Sequence, residues 1–302
     1  MAKSQRPIEA AALQVLSLGL GAPLRNALAE LLVGLYTKGD NIALYGCVNK
    51  LQELLGTGKE SKSVGDAGRA SLLCCLAKLV DQFGGQLGSG FQESVAIANR
   101  LFKSPNVEVR EEALLMLASY VSTCSRDRYA GKAQEESLRL AERASRDRAE
   151  GVRKCAAYLI AAIADAGGQG FFSNGTSGMD EAVRICLRGI EDGARGVSTA
   201  FSDALGQVVS STASTSATEA LGKCKESRRQ GLKLAMDNPC GAFGVPFLKA
   251  FSEGKPRSCV SVILAWRKCF HEFKYKYRQG DDKLIDFVLS ALKTLLELDK
   301  AW

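Results

Sequence analysis

Between Asn106 and Val121 the chain runs NVEVREEALLMLASYV, entered through Ser104-Pro105. Proline at the mouth of a helix fixes φ for the first turn and gives up an N–H that would have no partner there. Val109, Ala113, Leu117 and Tyr120 then fall on one face, with Arg110, Glu111 and Glu112 on the other. The pattern predicts an amphipathic helix with one narrow apolar stripe. Alone, such a helix has nothing to bury its stripe against.

The stripe recurs. Val152, Ala156, Ile160 and Ile163 repeat it, as do Val197, Phe201, Leu205 and Val208. Upstream, Arg69, Leu72, Leu76 and Leu79 fit one copy, and Arg25, Leu28, Leu32 and Leu35 another. The residues at the Val109 position are Leu24, Gly68, Val109, Val152 and Val197, at intervals of 44, 41, 43 and 45 residues. A period of roughly 40–47 residues with two helices per unit is the HEAT and armadillo interval. Val109 and Val152 are each followed by arginine, and Asp147 and Asp192 stand five residues before their valines, as Ser104 does before Val109. The expected fold is all-α: a right-handed α-solenoid of HEAT/armadillo-like helical hairpins, about six to seven units long. Neighbouring hairpins would bury one another's stripes. The packing positions are Leu28, Leu72, Val109, Ala113, Leu117, Val152, Ala156, Ile160, Val197, Phe201 and Leu205.

Taken in order, residues 1–209 predict five such units. Helices are expected over Ile8–Leu18 and Pro23–Tyr36, Ile42–Leu55 and Arg69–Phe83, Phe91–Phe102 and Val107–Val121, Gln134–Ala144 and Gly151–Ala164, and Met179–Ile190 and Gly196–Val209. Gly56–Gly68 and Gln169–Gly178 are expected as loops, and the Gly84-Gly85 and Gly88-Ser89-Gly90 cluster as an inter-helix turn. Residues 210–244 break the rhythm with a Ser/Thr-rich and then basic stretch, expected as a linker or long inter-repeat loop. Residues 245–302 resume the apolar spacing and stop on an apolar half-unit. A solenoid end needs a polar cap, so the expectation is a front piece of a longer protein, or an end that a partner covers.

Composition changes little in this picture. The 302 residues are 46% hydrophobic but only 7% aromatic, which suits helices packed through small side chains. A net charge of +7 permits an acidic partner or an anionic membrane surface without demanding either. No segment is long and apolar enough to span a membrane, and the N-terminus lacks a signal-peptide pattern. The ten cysteines lie on helical stripes or as the Cys74-Cys75 pair, so they are expected as reduced, buried small hydrophobes in a cytosolic or nuclear protein.

Chemistry is sparse. Gly56-Thr57-Gly58-Lys59 looks like the tail of a phosphate-binding loop, but it lacks the earlier glycine and has Glu60 where Ser or Thr belongs. His271 is the lone histidine and no Cys-x-x-Cys occurs, which argues against zinc and against a Ser/His/Asp triad. No catalytic, cofactor-binding or metal-ligating set is assigned. Arg267, Lys268, Lys274, Lys276 and Arg278, interleaved with Trp266, Phe270, Phe273, Tyr275 and Tyr277, could hold phosphate from lipid headgroups or nucleic acid, and with Arg228 and Arg229 of the upstream basic stretch they are candidate partner or phosphate contacts. The plainer alternative is core aromatics beside a solvated lysine face. Arg110 and Arg153 could touch a ligand along a groove, or tie adjacent units together.

Four stretches carry a resemblance: Pro23–Leu55, Phe83–Val95, Ser145–Ile160 and Glu181–Gly206. Together they are similar to the early repeats of the HEAT-repeat-containing protein 5 family, the SWEETIE-like accessory scaffolds of clathrin adaptors. The resemblance covers roughly residues 8 to 209. It implies a non-enzymatic scaffold, cytoplasmic and peripheral at the trans-Golgi network and endosomal or endocytic vesicles. Its implied partners are a clathrin adaptor or aftiphilin-like proteins, with possible peripheral contact with anionic membrane. An alternative from the positive charge is a solenoid that binds nucleic acid or acts in nuclear transport, with direct nucleic-acid binding the less expected.

Overall fold

A computed structural model describes residues 2–124, 130–167 and 177–213. Within them the regular structure is helical: α1 (Ala2–Leu18), α2 (Ala22–Lys38), α3 (Ala43–Leu55), α4 (Asp66–Leu87), α5 (Phe91–Leu101), α6 (Val107–Cys124), α7 (Ala130–Ala144), α8 (Glu150–Gly167), α9 (Ser177–Ile190) and α10 (Arg195–Ala213). The chain divides into two units, Met1–Phe171 and Phe172–Trp302. The linker expected over 210–244 lies outside the described residues except for the end of α10, as do the helices of 245–302 and with them any sixth and seventh hairpins.

In the first unit each odd-numbered helix pairs with the even-numbered one that follows. The second helices of the hairpins then lie side by side, α2 on α4, α4 on α6 and α6 on α8. The first helices make a thinner layer, α3 touching α5 and α5 touching α7. This is the stacked-hairpin architecture of HEAT and armadillo repeats. The second unit shows one further hairpin, α9 against α10, with Val197, Phe201 and Leu205 in its core.

The same local device opens successive second helices. Asp147 Oδ1 accepts from the Ala149 N–H at 2.9 Å, and Asp192 Oδ1 from the Ala194 N–H at 2.9 Å. In the turn before α6, Ser104 Oγ accepts from the Asn106 N–H at 3.1 Å, and Asn106 Oδ1 accepts from the Glu108 N–H at 2.9 Å. Short polar side chains thus satisfy backbone donors that a helix start leaves without partners. Between hairpins, buried Gln52 on α3 donates from Nε2 to the Ser94 hydroxyl at 3.1 Å and to the Gly90 carbonyl at 3.2 Å.

Four expectations need correction. Gly56–Gly68 is not all loop: a 3-10 turn covers Glu60–Ser63 and α4 begins at Asp66. Gly84-Gly85 is not a turn either, because α4 continues through both to Leu87. Gly84 lies so close to Thr123 of α6 that it serves as a contact point between helices. In the first hairpin Leu28 is only half-buried and Leu24 is 62% exposed, while Arg25, Ala29, Leu32 and Tyr36 are buried. Among second helices α2 has only α4 beside it, so its buried side is rotated towards that one neighbour. Finally, Glu112 is not on a solvated face. The central helix α6 has α4, α5 and α8 against it, which buries Glu112, Leu114 and Met116 as well as the expected stripe.

Candidate partner-binding face

One position after each of Leu24, Gly68, Val109 and Val152 stands an arginine, so the repeat sets Arg25, Arg69, Arg110 and Arg153 in a column along the second helices. Arg110 shows the column's working geometry. Its Nε and Nη2 grip the Asp147 carboxylate at 3.0 Å each, and its Nη1 donates to the Ser104 and Pro105 carbonyls at 2.9 and 3.1 Å. One side chain therefore closes its own turn and clips it to the next. Arg153 repeats the first half of this, donating from Nη1 to the Asp147 and Arg148 carbonyls at 3.0 Å each. The bidentate pair has the planar geometry that arginine provides and lysine does not. Both partners are mostly shielded, so Asp147→Asn is expected to cost about 1–2 kcal/mol in a denaturant titration. Arg110→Gln should cost less in that variant than in the wild-type chain, because the Asp147 contact is already broken and only the bonds to the Ser104 and Pro105 carbonyls remain to be lost.

Arg25 does something different. It reaches across α4 to α6, with Nη2 donating to Glu112 Oε1 at 2.7 Å and Nη1 lying 2.8 Å from Glu108 Oε1. Burial works against the Arg25 charge, but Glu108 and Glu112 outweigh it and hold the guanidinium pKa above its ordinary value. Burial pushes the Glu112 carboxyl up, with Arg25 pulling the other way. Burial and the neighbouring Glu108 charge push Glu111 up too, opposed by Arg110 and Arg25. Beside the cluster, the Cys74 thiol donates to Asn26 Oδ1 at 3.3 Å.

The surface along these helices is mixed in character. Glu30 of α2 lies 3.9 Å from Lys78 of α4, and the Lys154 ammonium sits 5.8 Å from the Tyr158 ring centre on α8. On the outer side, Asn99, Glu136, Arg139, Glu142 and Arg143 line a shallow open groove between α5 and α7. Arg143 donates to Asn99 and stacks 5.8 Å over the Phe102 ring. Exposed apolar side chains gather on the first hairpin, with Ile8, Val15 and Leu18 on α1 and Leu24 and Leu31 on α2.

The described cysteines are not activated as nucleophiles. Cys47, Cys74, Cys75, Cys155 and Cys186 are free and buried, as the stripe positions implied. Burial pushes Cys47 and Cys74 up to about 11 and Cys155 up to about 12, which keeps the thiols protonated and unreactive. The Gly56–Lys59 stretch connects α3 to a 3-10 turn and has no strand before it, unlike a phosphate-binding loop. Among the described residues no helix is long and apolar enough to cross a membrane.

Of the expected packing positions, Leu72, Val109, Ala113, Leu117, Val152, Ala156, Ile160, Val197, Phe201 and Leu205 are all buried. The basic set Arg228, Arg229, Arg267, Lys268, Lys274, Lys276 and Arg278 lies outside the described residues, and so does His271. Of the two roles open to Arg110, the structure shows the tie between hairpins. What the apolar pattern missed is the charged cluster of Arg25, Glu108 and Glu112. Its signal was present as four arginines in register.

No protein-family model matches the chain. It is similar to the protein SWEETIE of Arabidopsis thaliana, with 29% identity over 301 residues, covering 97% of this chain and 13% of that protein. The chain thus spans about an eighth of that relative's length. Among solved structures it resembles an engineered protein with TM-score 0.46 and 16% identity, covering 89% of this chain and 90% of that one. It also resembles a designed armadillo repeat protein in complex with the peptide (KR)4, with TM-score 0.45, 14% identity and coverage of 89% and 92%.

Proposed function

We propose that this chain is a segment of a non-enzymatic scaffold whose helical-repeat face binds protein partners in clathrin-adaptor-linked membrane traffic. The observation that carries the proposal is the similarity to SWEETIE along nearly the whole chain, on a framework of stacked hairpins. Such hairpins present long rows of side chains from a rigid support, which suits the capture of an extended partner. The partner class is a clathrin adaptor or an aftiphilin-like protein, and the place of action is the cytoplasmic side of trans-Golgi and endosomal membranes. Arg25 and Arg110 are neutralised by carboxylates, so these two arginines are not offered to a phosphate backbone.

Affinity capture with the tagged full chain, together with fluorescence microscopy of the same chain, tests this. Recovery of adaptor or coat subunits and a perinuclear or vesicular distribution are the expected results. Recovery of stable partners without any adaptor or coat subunit would overturn the traffic assignment. A salt-sensitive gel shift with RNA or DNA would replace it with nucleic-acid binding.

A further inference from the structure

The arginine column is not matched by an acidic column. Five residues before each of Gly68, Val109, Val152 and Val197 stand Ser63, Ser104, Asp147 and Asp192. Arg110 meets Asp147 of the following hairpin. Arg69, one hairpin earlier, has a serine at the corresponding place. It pairs instead within its own helix, Nη1 donating to Asp66 Oδ1 at 3.0 Å. Its Nε is buried and has no hydrogen-bond partner, although the same atom of Arg110 holds Asp147 Oδ2.

A second cation attends the same turn. Arg100 closes α5, and from there the chain wraps directly into Ser104: the Lys103 N–H donates to the Arg100 carbonyl at 3.2 Å and the Ser104 N–H to the Leu101 carbonyl at 2.9 Å. Arg100 Nη2 is also buried without a hydrogen-bond partner. Burial, and then the charge of Arg69, hold the Arg100 guanidinium pKa below its ordinary value. By register Arg69 stands on α4 where Arg110 stands on α6, with one buried donor unsatisfied, and Ser104 stands where Asp147 meets Arg110. The equivalent place one hairpin later holds a carboxylate.

Ser104 is half-buried and flanked by exposed Lys103 and exposed Pro105. A serine followed by proline in a surface turn is the form of substrate that proline-directed protein kinases accept. We propose that Ser104 is a phosphorylation site, and that its phosphate sits against Arg69 and Arg100 as Asp147 sits against Arg110. In the transfer, Ser104 Oγ bonds to the γ-phosphorus of ATP, the bond from that phosphorus to the ADP oxygen breaks, and the hydroxyl proton passes to the kinase's base. The product carries a charge of about −1.5 to −2 and three strong acceptors, which suit two arginine forks. The modification clips the α5–α6 turn to α4 and stiffens the second-helix face at its centre. Ser63 does not share this role: valine follows it, and Arg25, its counterpart in the column, already holds Glu108 and Glu112.

The test treats the full chain with a proline-directed kinase and ATP, maps the phosphate by peptide mass spectrometry, and compares thermal unfolding before and after. Phosphate on Ser104 and a rise in Tm of about 2–4 °C are expected for the wild-type chain. The rise should shrink in high salt and vanish in Arg69→Gln. Ser104→Asp offers the same comparison without a kinase, and a smaller rise with the same dependence on Arg69 is expected. Failure of the native chain to take up phosphate at Ser104 overturns the proposal. A phosphate there that lowers Tm, leaves it unchanged, or raises it equally in Arg69→Gln also overturns it.

Discussion

An Arg25→Met variant is expected to lose about 3–5 kcal/mol of folding stability, the cost of breaking a buried ion pair from one side. Arg25 is 6% exposed and its partner Glu112 is 9% exposed, so neither charge can return to water without moving α2 away from α6. Methionine keeps most of the aliphatic stem, so the loss measures the abandoned carboxylate and not a cavity. Glu108 is different: its side chain is 46% exposed, and Glu108→Gln should cost under about 1 kcal/mol. The decisive comparison is Arg25→Met/Glu112→Leu. Removing both charges removes the desolvation penalty along with the attraction, so the double variant should regain most of what the single one lost. A double variant as unstable as Arg25→Met alone, by urea denaturation followed through helicity, would mean that the pair is not what ties α2 to α6.

The same pair sets a pH signature. The Glu112 carboxyl is pushed above its ordinary value in the folded state, with burial as the main cause and Arg25 opposing it. A raised carboxyl means that the folded chain binds a proton at pH values where the unfolded chain has already released it. Across that window stability falls as pH rises. Without Arg25 the opposing charge is gone and the window widens upwards. The deficit of Arg25→Met should therefore be smallest in acid, where Glu112 is protonated, and grow towards neutral pH. Glu111, also raised by burial, adds a slope of the same sign in both proteins.

The fold was legible where burial follows from spacing alone. Val109, Ala113, Leu117 and Tyr120 recur at one interval because each second helix turns the same face to a neighbour, and a recurrence every four dozen residues or fewer survives without any alignment. Legibility failed where a residue's role is set by a partner distant in sequence. Glu112 belongs by type on a wet surface, and its burial depends on Arg25, 87 residues away. Leu24 holds the same register position as Val109 and yet faces solvent, because α2 is flanked by one second helix where α6 is flanked by two. Ser104 fell in register with Asp147, but its meaning rests on the unsatisfied nitrogens of Arg69 and Arg100, which only packing reveals.

The adjacent glycines of α4 provide the sharpest contrast between sequence and packing, and they should respond to one substitution with opposite signs. Alanine in place of glycine inside a helix normally stabilises by about 1 kcal/mol. At Gly85 a Cβ would meet nothing within 4 Å, so Gly85→Ala should gain up to that amount. At Gly84 a Cβ would lie 2.0 Å from Thr123 Oγ1 and 2.3 Å from Thr123 Cβ. Thr123 cannot swing aside freely, since its hydroxyl donates to the Ser119 carbonyl at 2.8 Å and a β-branched side chain in a helix is stiff at χ1. The clash must instead push α4 from α6, a contact that runs along most of both helices. Overpacking of this kind costs about 1–3 kcal/mol, which exceeds the gain in helix propensity. Gly84→Ala is therefore expected to destabilise. Thr123→Ala should restore only part of the loss, because it removes Oγ1 and keeps Cβ. Thr123→Gly clears the contact entirely and moves the small residue across the same interface, so it should remove the clash and leave only its own helix-propensity cost. If Gly84→Ala and Gly85→Ala both stabilised in the same denaturant titration, α4 and α6 could not be as close as this packing requires.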